Sequence, residues 1–272
     1  VLSAENNQDI IFSVTITPNG QTAQIVREDV PRPDTQQVVA GQTDTLGQLS
    51  TDIPQNVQFA VFGQDFSQSG VSAQSPAAQN IINQLSGPYA YFKQTDAAGI
   101  DAIGLVITIP DSAENTFAVG DSQLEELLTT TIAPVIGITE PLGTPAYADN
   151  THAEIPLRYI NITPDGKAID YTIHNNRLYI ATSKLSMFDI LETAVGQAPG
   201  IADNEDIARL LTISEENYHQ AAVSNLKLPA LRSLVPHNLS NESEQPGLPY
   251  RVNIYTTPAG NYIDGEIILQ PN

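Results

Sequence analysis

Ile155-Pro156-Leu157-Arg158-Tyr159-Ile160-Asn161-Ile162-Thr163-Pro164-Asp165-Gly166-Lys167-Ala168-Ile169-Asp170-Tyr171-Thr172-Ile173 decides the fold. Ile155, Leu157 and Tyr159 alternate with other residues before the Thr-Pro-Asp-Gly tetrad, and Ile169, Tyr171 and Ile173 alternate after it. A period of two places each set on one face of a strand. Proline presets φ at the first turn position, aspartate suits the second, and glycine accepts the left-handed conformation from which the return strand starts. The stretch therefore reads as an antiparallel hairpin. Residues 177–181 add a strand across an Asn175-Asn176 turn. Thr182-Ser183 then caps a helix over 184–195, with Leu185, Phe188, Leu191 and Val195 as its apolar stripe and Gly196 as its stop.

The same tetrad recurs at Thr17-Pro18-Asn19-Gly20 and Thr257-Pro258-Ala259-Gly260. Phe12, Val14 and Ile16 alternate into the first, and Ala23 and Ile25 bring the chain back. The third is expected to close a hairpin over 250–269. Loose agreement of the flanking residues is weak ground for an internal duplication.

Between the first two hairpins, strands are expected at 57–62, 89–92 and 103–109. A helix is expected over 76–85, with Ile81, Ile82 and Leu85 on one face. A second helix starts at Asp121-Ser122, turns Leu124, Leu127 and Leu128 inward, and loses its clean pattern at Pro134. Further on, helices are expected at 204–211 and 229–234 and a strand at 222–226. The class is α+β, a mainly antiparallel sheet with several short helices. Three parts are expected: an N-terminal hairpin arm and linker (1–50), an α+β body (51–200) and a C-terminal α+β segment (201–272) that can be continuous with the body.

The chain carries 11 Lys+Arg against 31 Asp+Glu, a net charge of −20. Such a surface repels phosphate backbones, which argues against nucleic-acid binding. No apolar stretch approaches the roughly 20 residues of a membrane-spanning helix. Cysteine is absent, which excludes thiol chemistry and disulfides and leaves the redox compartment open. Charged residues make up only 15% of the chain, so Asn, Gln, Ser and Thr supply much of the polar surface. With Val1 as first residue, this favours a processed, mature protein located outside the cell or at its surface. Asn161, Asn238 and Asn241 open the triplets of glycosylation acceptors, a frequent chance pattern in an Asn-rich chain.

No motif stands out as catalytic. Gly120-Asp121-Ser122 looks like the nucleophile block of one lipase/esterase class, and Asp149-Asn150-Thr151-His152 has the form of its Asp-x-x-His partner. Such chemistry needs Ser122 within reach of His152, together with oxyanion donors. The class, however, keeps that partner near the C-terminus, and an ordinary N-cap before Leu124 explains the same residues. His152, His174, His219 and His237 lack the short spacing of metal ligands. Asp203, Glu205 and Asp206 fit an acidic helix start. No cofactor is expected. A divalent cation such as calcium is admitted only because the net charge calls for counterions. The tyrosines of the strands read as sheet packing before a sugar-binding face.

From Gly87 to Ala194 the order of features resembles a family of exported bacterial α+β ectodomains catalogued as a domain of unknown function. The likeness lies in Gly87-Pro88-Tyr89-Ala90-Tyr91-Phe92, Leu105-Val106-Ile107-Thr108-Ile109-Pro110-Asp111, Ala168-Ile169-Asp170-Tyr171-Thr172-Ile173 and Arg177-Leu178-Tyr179-Ile180-Ala181-Thr182-Ser183. It implies an extracellular location and no catalytic residues; the first fifty residues and the absence of that family's N-terminal anchor depart from it.

These readings favour a non-enzymatic cell-surface or structural protein that self-assembles through its N-terminal arm by strand addition, with Phe12, Val14, Ile16 and Ile25 as the arm's apolar positions. Its partner is another copy of the chain. Residues 30–50 would reach up to roughly 70 Å when extended. The alternatives are an extracellular binding module for glycan, peptide or divalent cation, and a hydrolase built on Ser122.

Overall fold

The computed structural model describes residues 10–17, 20–25, 49–73, 75–111, 117–136, 138, 146–164, 166–204, 220–224, 250–257 and 260–267, with side chains between 49 and 204 only. The expected helix at 204–211 beyond its first residue and the one at 229–234, as well as His219, His237, Asn238 and Asn241, lie outside the described residues.

The strands are β1 (Ile10–Thr17), β2 (Gly20–Ile25), β3 (Val57–Gly63), β4 (Tyr89–Thr95), β5 (Asp101–Thr108), β6 (Ala148–His152), β7 (Ile155–Asn161), β8 (Lys167–His174), β9 (Arg177–Ser183), β10 (Gln220–Ser224), β11 (Tyr250–Thr257) and β12 (Gly260–Ile267). Side chains are described for seven of them, in the order β3-β4-β5-β9-β8-β7-β6, and every pairing is antiparallel. Beyond β3 the ladder continues through β10, β11, β12 and β1 to β2. Together with the short helices this is an α+β fold.

The central strands are buried on both sides. Tyr179, Ala181, Val106, Ala90 and Phe92 join one apolar cluster, while Leu178, Ile180, Leu105 and Ile107 join the other. Helices α1 (Pro76–Gln84) and α2 (Ser122–Leu127) pack on the second face, and α3 (Lys184–Ala194) covers the first. Serine or aspartate caps each helix: Ser75 accepts the Ala78 N–H, Asp121 those of Gln123 and Leu124, and Ser183 that of Ser186.

Two expectations change. The buried side of α3 is Met187, Ile190 and Leu191, whereas Leu185 and Val195 are 36% and 37% exposed. The helix offers two overlapping apolar arcs; the cap at Ser183 and a bond from Gln94 to Ser186 turn the Met187 arc inward. The helical path also runs past Pro134. A π-helical stretch, Leu128–Ile132, carries it to a last turn at Ala133–Val135. Proline brings no N–H, and the Thr129 and Thr130 hydroxyls donate to the carbonyls of Glu125 and Glu126 in the preceding turn.

Asn175 and Asn176 take φ of 48° and 57° between β8 and β9, the left-handed region in which asparagine is tolerated. The unexpected strand β6 meets β7 through a turn of the same hand, but here Ala153 and Glu154 occupy φ of 48° and 65°. Crowding by Cβ costs on the order of 1 kcal/mol for such a residue. Glu154→Gly is therefore expected to raise stability by about 1 kcal/mol in urea unfolding; no gain would mean that the turn carries no such strain.

Candidate functional site

A polar seam lies between α3 and the sheet. Ser183, the last residue of β9, caps α3 and donates from Oγ to Asp96 Oδ2 at 2.8 Å. Asp96 also accepts the N–H groups of Ala98 and Ile100 at 2.9 Å, which closes the β4–β5 turn. Gln94 is wholly buried; its Nε2 donates to Ser186 Oγ at 2.9 Å and Asp189 Oδ2 at 3.3 Å. Burial, reinforced by the charges of Glu192 and Asp96, raises the Asp189 pKa above the usual carboxylate value. His152 Nε2 lies 2.9 Å from Glu192 Oε1, and its ring stacks on Phe188 at 3.7 Å and 5°. Lys184 Nζ is 5.3 Å from the same Phe188 ring.

Asp170 lies on the same side of the sheet. It opposes Tyr159 on β7 and Ala181 on β9, both in the cluster under α3. It is 0% exposed, and neither carboxyl oxygen has a hydrogen-bond partner among the described residues. Burial pushes its pKa up to about 7, against a smaller pull from the Lys184 charge.

Two further networks anchor loops. On the α2 side, Glu125 Oε1 accepts from Arg158 Nε at 2.6 Å and Tyr171 Oη at 2.9 Å, while Arg158 Nη1 reaches Asp149 Oδ1 at 2.8 Å. Tyr147, edge-on to Tyr171, has its hydroxyl 3.2 Å from Thr129, and burial pushes its pKa up to about 12. On the α3 side, Arg177 Nη1 and Tyr179 Oη both donate to Asp52 Oδ2, which ties residues 49–55 to β9.

The residues of the esterase reading are not brought together. Ser122 is the first residue of α2, behind the Asp121 cap, and Asp149 pairs with Arg158 on that same side of the sheet. His152 opposes Ile155, whose side chain belongs to the α3 face, and bonds to Glu192 there. The sheet separates His152 from the other two. The hydroxyls of Ser183 and Ser186 are engaged in capping and in the Gln94 bond.

Of the arm positions, Phe12, Val14 and Ile16 lie on β1 and Ile25 on β2. Their backbone register is Phe12↔Gly265, Val14↔Ile263, Ile16↔Asn261 and Phe12↔Ile25. Asn161 ends β7 and is exposed. Among the described residues no group of three or more His, Asp or Glu is placed to hold a metal ion, and no helix is long and apolar enough to cross a membrane. Tyr89, Tyr171 and Tyr179 are buried in the packed layers.

The seam and the two anchoring networks escaped the sequence reading. Their signal was a polar or charged residue inside an alternating run: Arg158 between Leu157 and Tyr159, Asp170 between Ile169 and Tyr171. No family model, curated protein or solved structure matches the chain.

Proposed function

We propose that this chain is a non-enzymatic extracellular or cell-surface structural protein that self-associates by exchanging its N-terminal strand arm. The observation that carries the reading is the place of β1. It joins the sheet through a seven-pair ladder with β12, from Ile10↔Ile267 to Ile16↔Asn261, and is separated in sequence from the body by residues 26–48. A ladder to β12 of a second copy would make the same main-chain bonds, and lengthening the closing loop costs little entropy. The polar, lysine-poor composition and the likeness of residues 87–194 to exported ectodomains support the location. Engagement of the Ser183 and Ser186 hydroxyls in structural bonds, and of His152 with Glu192 away from Ser122, supports a non-catalytic role. Each Thr-Pro-x-Gly tetrad serves as a hairpin turn in this scheme; the registers Thr17↔Gly20 and Thr257↔Gly260 support that for the first and third.

Light scattering on the full chain and on a variant lacking residues 1–50 tests the proposal. The full chain is expected to give a multimer, and the truncated chain a folded monomer by circular dichroism. A monomeric full chain, or a truncated chain with unchanged oligomeric mass, would overturn it.

A further inference from the structure

We propose that Asp170 is a protonation-controlled latch beneath α3: uncharged, it lets the helix close down on the sheet, and ionised, it loosens that helix, so that acidity tightens this side of the molecule. The geometry comes first. The carboxyl is wholly buried between the sheet and α3, opposed by Tyr159 and Ala181 across the strands, and both oxygens lack a hydrogen-bond partner among the described residues. A buried carboxylate without partners is among the costliest groups a core can hold, whereas the protonated acid needs only one acceptor. Its raised pKa follows from that desolvation.

The surrounding groups determine what ionisation can do. From α3 come Lys184, Asp189 and Glu192, from β6 His152, from β7 Tyr159, from β9 Tyr179 with the Arg177–Asp52 pair it joins, and from the β4–β5 turn Asp96; Lys167 and His174 lie on the same strand as Asp170. Asp96 and Glu192 are engaged with Ser183 and His152, and Asp189 with Gln94. The cation whose charge bears on Asp170 is Lys184, the first residue of α3, exposed and resting near the Phe188 ring. An ionised Asp170 gains either water or this ammonium only if the first turn of α3 moves.

The direction follows by linkage. An aspartate released from the core titrates near about 4, so a carboxyl held with a raised pKa favours the closed state fully below that pH. The advantage is lost as pH rises to the folded value of about 7 and is constant above it. The opening constant of α3 should accordingly rise by about tenfold per pH unit between about pH 5 and 6.5 and level off above about pH 7.

Amide hydrogen exchange on the full chain, corrected for intrinsic rates, reads this constant. In the wild type, protection of residues 184–194 is expected to fall over that range while α1 stays level; in Asp170→Asn, α3 is expected to lose its pH dependence. Equal slopes in both proteins, or parallel loss in α1 and α3, would overturn the latch. Independently of any variant's folding, the Asp170 ¹³Cγ resonance of the wild-type protein should titrate well above the ordinary aspartate range and shift further upward in Lys184→Met. A midpoint near about 4 would overturn the proposal.

Discussion

Arg177→Met is expected to destabilise the fold by about 3–5 kcal/mol, the range found when one partner of a buried ion pair is removed. Asp52 is 6% exposed and Arg177 17%, so neither charge is well solvated. Asp52 Oδ2 receives both the Arg177 guanidinium and the Tyr179 hydroxyl, the latter at 2.6 Å. Methionine would fill much of the arginine's volume and leave the carboxylate with only neutral donors, the hydroxyls of Tyr179 and Thr51. Burial, then the Asp52 charge, already holds the Tyr179 hydroxyl well above its usual pKa, and that phenol cannot take over as counterion. The double variant Asp52→Asn/Arg177→Met should recover most of the loss, because it removes the uncompensated charge. The chain has no tryptophan, so urea unfolding is best followed by far-ultraviolet circular dichroism. A single variant within about 1 kcal/mol of the wild type, or a double variant as unstable as the single, would show that the pair is effectively solvated.

Gly87→Ala is expected to cost on the order of 3 kcal/mol, the upper part of the range for overpacking. A Cβ at this position would come 2.1 Å from the carbonyl oxygen of Thr108 and 2.9 Å from its carbon. These are backbone atoms at the end of β5 and cannot rotate away. The Thr108 N–H donates to Pro88 at 2.8 Å, and the Gly87 carbonyl accepts from Phe66 at 2.9 Å, so a shift would open the entry of β4. Gly99→Ala makes a suitable comparison. Nothing lies within 4 Å of its Cβ position, and only its φ of +81° is unfavourable, which predicts a loss near about 1 kcal/mol. Similar losses at the two sites would mean that backbone contact at Gly87 relaxes freely.

Gly87 shows how legible the chain was. Gly87-Pro88 before Tyr89 was visible in the sequence, but only the approach of Thr108, 21 residues later, gives the glycine its reason. The strands at 57–63, 89–95 and 101–108 were legible within a few residues because each carries its own periodicity and turn signals. β6 was not: Ala148-Asp149-Asn150-Thr151-His152 has no apolar alternation, and its strand form comes from pairing with β7. For the candidate site, His152 was noticed but placed with Asp149. Three positions apart in a hairpin arm, they point to opposite faces, since Asp149 opposes Arg158 and His152 opposes Ile155.

What the sequence determined by itself is local: the alternation of β7, β8 and β9, the asparagine turn between the last two, the helix caps at Asp121 and Ser183, and hence an antiparallel α+β architecture. Each depends on the chemistry of a few consecutive residues, which adopt the same preference wherever they are placed. What only the tertiary structure decided is which surfaces meet. Alternation puts Asp170 on the side of β8 opposite Ile169 and Tyr171, a place that would face water in a sheet covered once. Because α3 closes over that side with Met187, Ile190 and Leu191 inward, Asp170 becomes a buried acid. Burial is a property of the element that arrives from elsewhere in the chain, and no window of neighbouring residues contains it.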